Sequence, residues 1–482
     1  EKTLTGAFWS FSEIFISKGI QFITGVILAR LHLPIDFGLI GMIMIFIVLA
    51  NVIIDSGFSQ ALIREKDPGN EDFSTAFIVN LALSLLLFAL LFLSAGRVSV
   101  FFNEPRLVDI IRVMSFVLII NAFSIIQRTA LTIKVDFKTQ AKVTLISGIL
   151  SSLAAIAAAM CGLGVWSLVI NIIVMQLTQS ICLWWLKPWM HRLGFHLVSF
   201  RKLFGFGSKI FLSYLIDTIC NNVYYVIIGK FYSGIELGYF TNAARSRDVI
   251  MQSITSAIER VTYPVLSGMQ DDDAKLKINY RQIIRLTMYM YFPLILGLAT
   301  VAEPLFFVLF GAKWMASVYY FQLLCFSGAV YPLVALHMNI LKVKGRSDIT
   351  LRLEVYKKIC LTACIIIGFR WGIIGILYGL IVNALLSWLM HCFYTRRLIS
   401  YFYREQMTDT VPFLAIAVGM VGLILWGRQL MPVSYYWQLL LMVPTGVVGF
   451  MLISVIFRIR ELNIAGEIKD LIADRKSKVD YS

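Results

Sequence analysis

The stretch Leu28-Ala29-Arg30-Leu31-His32-Leu33-Pro34-Ile35-Asp36-Phe37-Gly38-Leu39 returns, without a gap, as Ile228-Gly229-Lys230-Phe231-Tyr232-Ser233-Gly234-Ile235-Glu236-Leu237-Gly238-Tyr239. Cation stands opposite cation at 30 and 230, turn former opposite turn former at 34 and 234, acid opposite acid at 36 and 236, glycine opposite glycine at 38 and 238. Each copy lies where one apolar run turns into the next. An internal repeat at such a turn is the mark of a polytopic membrane protein built from two similar halves.

Composition points the same way. Of 482 residues, 59% are hydrophobic and 15% charged, against roughly a quarter charged in soluble domains. The apolar residues come in blocks of about twenty, enough to cross ~30 Å of hydrocarbon at 1.5 Å per residue. These blocks exclude a cytosolic enzyme, a disulfide scaffold and a disordered chain. Fourteen spans are expected, at about 7–31, 37–60, 74–95, 107–132, 142–161, 164–186, 208–229, 237–263, 284–303, 315–341, 353–371, 373–394, 410–427 and 435–457. Glu13 and Lys18 interrupt the first apolar stretch, so it is not read as a cleavable signal.

The net charge of +15 is an orientation signal and does not call for nucleic acid. With the N-terminus inside, 28 cations fall in cytoplasmic loops and six (Arg97, Arg106, Lys230, Lys313, Arg370, Arg428) in the opposite ones. The polar eighth stretch must therefore be a span, since removing it would turn the basic C-terminal loops outward. The expected fold is an all-α polytopic membrane protein with 14 transmembrane helices and both termini cytoplasmic. It divides into an N-terminal six-helix lobe (1–186), a cytoplasmic connection (187–207), a C-terminal six-helix lobe (208–400), two added helices (401–457) and a tail (458–482). In that tail Ile464, Ile468, Leu471 and Ile472 share one helical face, the pattern of a helix lying on the inner leaflet.

Polar residues in lipid are expensive, so several on one face imply a wet cavity or a buried partner. In span one Ser10, Glu13, Ser17, Lys18, Gln21, Thr24 and Gly25 lie within roughly 140° of arc. Span two carries Asn51, Asp55 and Ser59; span four Asn121, Ser124 and Arg128; span seven Ser213, Asp217, Asn221 and Tyr224. Span eight carries Thr241, Arg245, Asp248, Gln252, Thr255 and Glu259 as one continuous stripe. Under the repeat, spans one and two correspond to seven and eight, as expected if both pairs line one central cleft. Arginine in such a cleft suits phosphate, because its planar fork bonds two oxygens at once. Arg245 and Asp248, three apart, can instead neutralise each other, leaving Arg247 unpaired on a neighbouring face. Glu13 and Lys18 can likewise form a static pair, while Glu13 and Asp55 are also candidates to take up a coupling cation or proton. Arg30, Lys230, Arg260, Lys357 and Lys358 sit near the span ends, where snorkelling explains them.

Other chemistry is weakly signalled. The seven cysteines lie in apolar runs with no Cys-x-x-Cys; Cys360 and Cys364, one turn apart, read as small apolar fillers before they read as soft-metal ligands. The five histidines form no metal-spaced cluster, Asp271-Asp272-Asp273 reads as a solvated turn, and there is no phosphate-binding G-x-x-x-x-G-K-[ST] loop. Neither cofactor nor metal is expected. No loop exceeds about twenty-five residues, leaving no room for a soluble catalytic domain, so an enzyme is not expected either.

The run Ile27-Leu28-Ala29-Arg30-Leu31, Pro34, Asp36-Phe37-Gly38-Leu39 and Asp55-Ser56-Gly57-Phe58 resembles the opening of bacterial polysaccharide flippases of the colanic-acid-exporter-like branch. That branch belongs to the multidrug/oligosaccharidyl-lipid/polysaccharide exporter superfamily. Gly162-Leu163-Gly164-Val165-Trp166-Ser167-Leu168, Leu203-Phe204-Gly205-Phe206-Gly207-Ser208, Ala302-Glu303-Pro304-Leu305 and Gly311-Ala312-Lys313-Trp314 look like further parts of it, over about residues 5 to 400. The resemblance implies two six-helix lobes around a cationic cavity. It also implies alternating-access transport of an undecaprenyl-pyrophosphate-linked oligosaccharide across the bacterial inner membrane, for surface polysaccharides including lipopolysaccharide. Membrane lipids and polysaccharide polymerase or assembly proteins are the implied partners. The expected roles place Arg245, Arg247, Lys18 and Arg128 on the diphosphate. Gln21, Asn221, Tyr224 and Tyr225 meet the sugars, and Glu13, Asp55, Asp217 or Asp248 couples an ion. The branch has Asp-Asn where this chain has Tyr224-Tyr225, which shifts coupling to another acid such as Asp217. A cation-coupled multidrug antiporter of the same superfamily is the alternative; it would want an acid-rich cavity.

Overall fold

The computed structural model describes residues 2–186, 193–430 and 434–457, and every regular element among them is a helix. The chain divides into two compact units, 1–249 and 250–482. The tail expected to lie on the inner leaflet, and the first part of the 187–207 connection, lie outside the described residues.

The first unit holds α1 (Lys2–Leu31), α2 (Pro34–Asp55), α3 (Phe58–Arg64), α4 (Asn70–Phe102), α5 (Leu107–Ile133), α6 (Phe137–Met160), α7 (Val165–Leu186), α8 (Leu197–Phe231) and the start of α9 (Gly234–Ser267). Neighbours in sequence pack as antiparallel neighbours, α4 on α5 and α6 on α7, while α1 closes back on α6. One direct bond in that closure joins the Thr24 and Ser152 hydroxyls at 2.6 Å. Small residues on α6 let α1 approach, as Gly148 does beneath Ile20. α8 begins at Leu197, inside the stretch expected as connection. Its early part is seated on a core of Phe58, Leu62, Phe77, Ile126 and Leu203.

The second unit holds the rest of α9, then α10 (Asp273–Thr300), α11 (Ala302–Phe310), α12 (Ala316–Gly328), α13 (Tyr331–Val343), α14 (Ser347–Gly368), α15 (Gly372–Ile399), α16 (Tyr403–Leu430) and α17 (Tyr435–Ile456). α12 and α13 continue one another across a break before Pro332. α14 pairs with α15 and α10 with α16. The Gly368–Gly375 turn joining α14 to α15 is so tight that a Cβ on either glycine would meet the other's carbonyl oxygen.

Among the described residues eleven helical stretches are long and apolar enough to cross a membrane, and one of them, Asp348–Ile399, is 52 residues long and takes in α14 from its second residue and all of α15. This is a multi-pass membrane protein. α1 and α9, which hydropathy does not select, are helices of 30 and 34 residues. The acidic turn has structural work. Asp272 caps α10 by accepting the Lys275 N–H at 2.9 Å, and Asp273 pairs with Lys344 at 2.5 Å.

Candidate functional site

The two copies of the repeated turn meet in the first unit. Gly38, in the first turns of α2, lies so close to Gly234 that a Cβ there would overlap its carbonyl oxygen, and Gly238 stands in the same relation to Pro34. Since 34 matches 234 and 38 matches 238, the contact is reciprocal under the repeat. Only glycine allows two helix backbones to come this near. Three residues further along, Gly41 faces Thr241. At the far end of α2, Gly57 (φ +75°) abuts Gly207 of α8 with the same backbone-to-backbone closeness.

Between these contacts the polar residues of α8 and α9 gather. Tyr224 and Tyr225 on α8 and Phe240 on α9 form an aromatic shelf with ring centroids 4.8–5.5 Å apart. Arg245, Arg247 and Asp248, one to two turns along α9, are its electrostatic neighbours. Arg247 clasps Asp248 through Nε and Nη2, at 2.8 and 2.6 Å. The alternative in which Asp248 neutralises Arg245 is therefore not the one adopted; Asp248 pairs with Arg247. Adjacent side chains on a helix point 100° apart, but the long arginine stem folds back far enough to chelate the carboxylate. Arg245 is left exposed, with its guanidinium 5.9 Å from the centre of the Phe37 ring and no carboxylate partner among the described residues. On α8, Asn221 donates to Asp217 at 2.9 Å, and both side chains are exposed.

Other expected site residues are already engaged elsewhere. The Asp55 carboxylate accepts the Ser59 N–H at 3.2 Å and the Ser59 hydroxyl, closing the break between α2 and α3. Thr129 on α5 extends that chain to Ser59 at 2.9 Å. Asn121 donates to Asn51 at 2.8 Å, and Ser124 to Asn121 at 3.1 Å. Apart from Arg128, the stripes of spans two and four thus form a polar zipper joining α2 and α3 to α5. Gln21 bonds Ser17 at 3.3 Å on the exposed face of α1. Lys18 is half-buried and Arg128 exposed. Among the described residues no hydrogen bond or ring contact links Lys18, Gln21 or Arg128 to the aromatic shelf. The Glu13, Gln252 and Glu259 side chains lie outside the described residues. The continuous stripe expected on α9 is uneven, since Thr241 and Thr255 are buried.

Two partners escaped the sequence reading. Phe37, inside the first repeated turn, and Phe240, one residue past the second, complete the site at positions where an aromatic reads as ordinary apolar filler. A second polar centre in the other unit also went unread. Tyr280 and Thr395 both bond His337 Nδ1, at 2.7 and 3.0 Å, and Cys392 lies 3.6 Å from its Nε2. Below it Arg281 grips Asp409 at 2.7 and 3.1 Å and Glu405 at 3.1 Å. These residues are far apart in sequence, so no local spacing announced them. No group of three His, Cys, Asp or Glu side chains converges as metal ligands among the described residues.

Residues 27–319 match the family model described as polysaccharide biosynthesis protein. The chain is 26% identical over 305 residues to the teichuronic acid biosynthesis protein TuaB of Bacillus subtilis, covering 63% of each protein. It is 25% identical over 402 residues to the lipopolysaccharide biosynthesis protein WzxC of Escherichia coli, covering 80% of each. Its fold is similar to that of a structure described as the lipid II flippase MurJ, inward closed conformation. That match has a TM-score of 0.78 at 15% identity, over 93% of this chain and 98% of that one.

Proposed function

We propose, from the premise that the chain belongs to the polysaccharide biosynthesis protein family, that it is a flippase. Its cargo is an oligosaccharide linked through diphosphate to a long isoprenoid lipid, carried from the inner to the outer leaflet of the bacterial inner membrane. The observation that carries this reading is Arg245: an exposed, uncompensated guanidinium beside an aromatic shelf, on a helix otherwise deep among apolar ones. A cation in lipid without a carboxylate is costly, and an incoming phosphate removes that cost through paired charge-assisted bonds. Tyr224 and Tyr225 offer flat faces to sugar rings, and Asn221 and Gln21 offer amides to sugar hydroxyls. Arg247, held by Asp248, stiffens the site and is the second phosphate contact once Asp248 releases it. Lys18 and Arg128 are further cations on the route.

The helices cross the membrane fourteen times with both termini cytoplasmic, and residues 1–186 and 208–400 form the two six-helix lobes. Movement is by alternating access, one lobe rocking against the other, with no chemical reaction. The isoprenoid tail stays in the bilayer, so the site need not be apolar. Of the acids proposed for ion coupling, Asp217 is exposed on the same face as Asn221 and suits a coupling cation best. Asp55 and Asp248 have structural bonds to break first, and Glu13 is the remaining candidate.

The test is transbilayer movement of a fluorescent undecaprenyl-diphosphate oligosaccharide in liposomes, comparing wild type with folded Arg245→Ala. Transport by wild type and its loss in the variant support the reading. Equal movement by both removes Arg245 from the site. Absence of lipid movement, with a pH or sodium gradient driving efflux of a cationic dye, replaces the flippase by an antiporter.

A further inference from the structure

The cations of the second unit fall into two kinds. Lys277, Arg281 and Arg285 share Glu405 and Asp409, Lys344 pairs with Asp273, Arg346 with Asp348 and Lys357 with Glu354, all within 3.4 Å. At the corner where α15 ends and α16 begins, Arg396, Arg397 and Arg404 have no carboxylate partner among the described residues, and all three are exposed. Two of them are instead held over exposed rings. Arg396 lies 5.3 Å from the Phe402 centroid and Arg397 4.3 Å from that of Phe393. The corner is firm: Tyr401, buried, donates to Asp409 at 2.9 Å, and Gln406 donates to the Tyr401 carbonyl at 2.9 Å.

The helix leading to this corner continues the pattern. Val382, Leu386, Leu389 and Phe393 are 37–49% exposed and, at steps of four, three and four, form one stripe that runs into Arg396 and Arg397. From Val382 to Phe393 the stripe rises about 16 Å at 1.5 Å per residue, which is half of a ~30 Å hydrocarbon core. An apolar strip one leaflet long, ending in guanidinium groups that lack their own acids, has the shape and charge of a docked phospholipid.

We propose that this corner is a binding site for an anionic phospholipid, its acyl chain along α15 and its phosphate on Arg396, Arg397 and Arg404. The site goes beyond the transport reading and does not depend on what is carried. Zwitterionic lipid brings its own ammonium to the phosphate and gains less from three cations; a lipid with net negative charge gains most.

The purified full chain is placed in nanodiscs of mixed phosphatidylglycerol and phosphatidylcholine, and the lipid it retains on release is identified by native mass spectrometry. Retention of phosphatidylglycerol over phosphatidylcholine is expected, falling about tenfold in R396Q/R397Q/R404Q. K66Q/K134Q/K142Q, which removes the same charge from exposed lysines elsewhere, keeps wild-type retention. An equal fall in both triple variants makes the effect delocalised charge and overturns the site, as does no fall in either. A photoreactive phosphatidylglycerol tests the wild-type chain without any substitution and labels residues between 382 and 404. Labelling confined to other helices, protection of the stripe by a second copy of the chain, or displacement of the lipid by millimolar inorganic phosphate each overturns the proposal.

Discussion

Two sets of helices in this molecule are held together in opposite ways. In the first unit α2 meets α8 and α9 through glycine: Gly38 on Gly234, Gly238 on Pro34, Gly57 on Gly207, with the backbones touching and no charge at those points. In the second unit α16 is held by charged side chains at both ends. Arg281 and Arg285 of α10 hold Asp409 at one, and at the other Arg428 pairs with Glu303 of α11 at 2.5 Å, which also accepts the Tyr435 hydroxyl of α17 at 2.9 Å. Ion pairs that leave a carboxylate buried are hard to break, because the separated charges must be resolvated or left bare. A glycine seam is held by dispersion and close fit, in which each atom pair contributes little, and it can part without stranding a charge. The first kind of contact suits a surface that opens and closes; the second suits an attachment that stays. α16 and α17 are then a fixed addition to the second unit, and the α2–α8–α9 seam is where alternating access would work.

The largest effect is expected at the clamp. Arg281→Ala strips Asp409, 1% exposed, of its closest cation and leaves only Arg285 at 3.4 Å and the Tyr401 hydroxyl. A loss of about 3 kcal/mol is expected for breaking a buried pair, read as a lower thermal midpoint in detergent and poor recovery of folded protein. An unchanged midpoint would mean that the clamp is ornamental. Next comes the seam. A valine at 238 cannot share space with the Pro34 carbonyl, so overpacking of about 1–3 kcal/mol is relieved by parting the helices. The protein stays folded, its thermal midpoint falls less than in Arg281→Ala, and transport stops because closure fails. Gly38→Val should do the same, since it is the same contact seen from the other copy. Wild-type transport by either variant, or unequal phenotypes for the two, breaks the equivalence.

Within the site the pairing of Arg247 with Asp248 predicts a smaller, asymmetric result. Asp248→Asn frees Arg247 and adds a second uncompensated guanidinium, so substrate affinity rises or holds, whereas Arg245→Ala loses at least about tenfold, the cost of one charge-assisted contact. Competition for the labelled lipid-linked oligosaccharide, scored as half-maximal concentration, separates the two. A matching loss in both variants would make Arg245 and Asp248 partners after all.

The sequence carried the seam well and the clamp hardly at all, for a physical reason. Helix-level features are local, so apolar length, the turn at Pro34 and the polar face of α9 are written in consecutive residues. The match of Leu28–Leu39 with Ile228–Tyr239 placed both glycines before any contact was known. Partner choice is not local. Asp248 could bond either arginine, and side-chain reach decided for Arg247. Arg281 and Asp409 are 128 residues apart, and nothing near either one names the other. Asp55 and Asn121 looked like cavity wall because polarity in lipid has two explanations, and the Ser59, Thr129 and Asn51 bonds select the second.

The finest test lies at the end of the seam where Asp55 closes the α2–α3 break next to Gly57. Asp55 is a candidate for ion coupling, and its bonds to Ser59 also tie the end of α2 to the first turn of α3. A bond of this kind is worth about 1 kcal/mol, and an asparagine oxygen can accept it as the carboxylate does, whereas alanine cannot. Asp55→Ala should therefore lower the thermal midpoint slightly and Asp55→Asn hardly at all, with both keeping the wild-type dependence of transport on an imposed ion gradient. A coupling acid gives the opposite order, since asparagine keeps the bond to Ser59 but cannot carry charge: Asp55→Asn would be stable and uncoupled. That outcome would move ion coupling from Asp217 to the foot of the glycine seam, and parting of the helices there would be driven by charge after all.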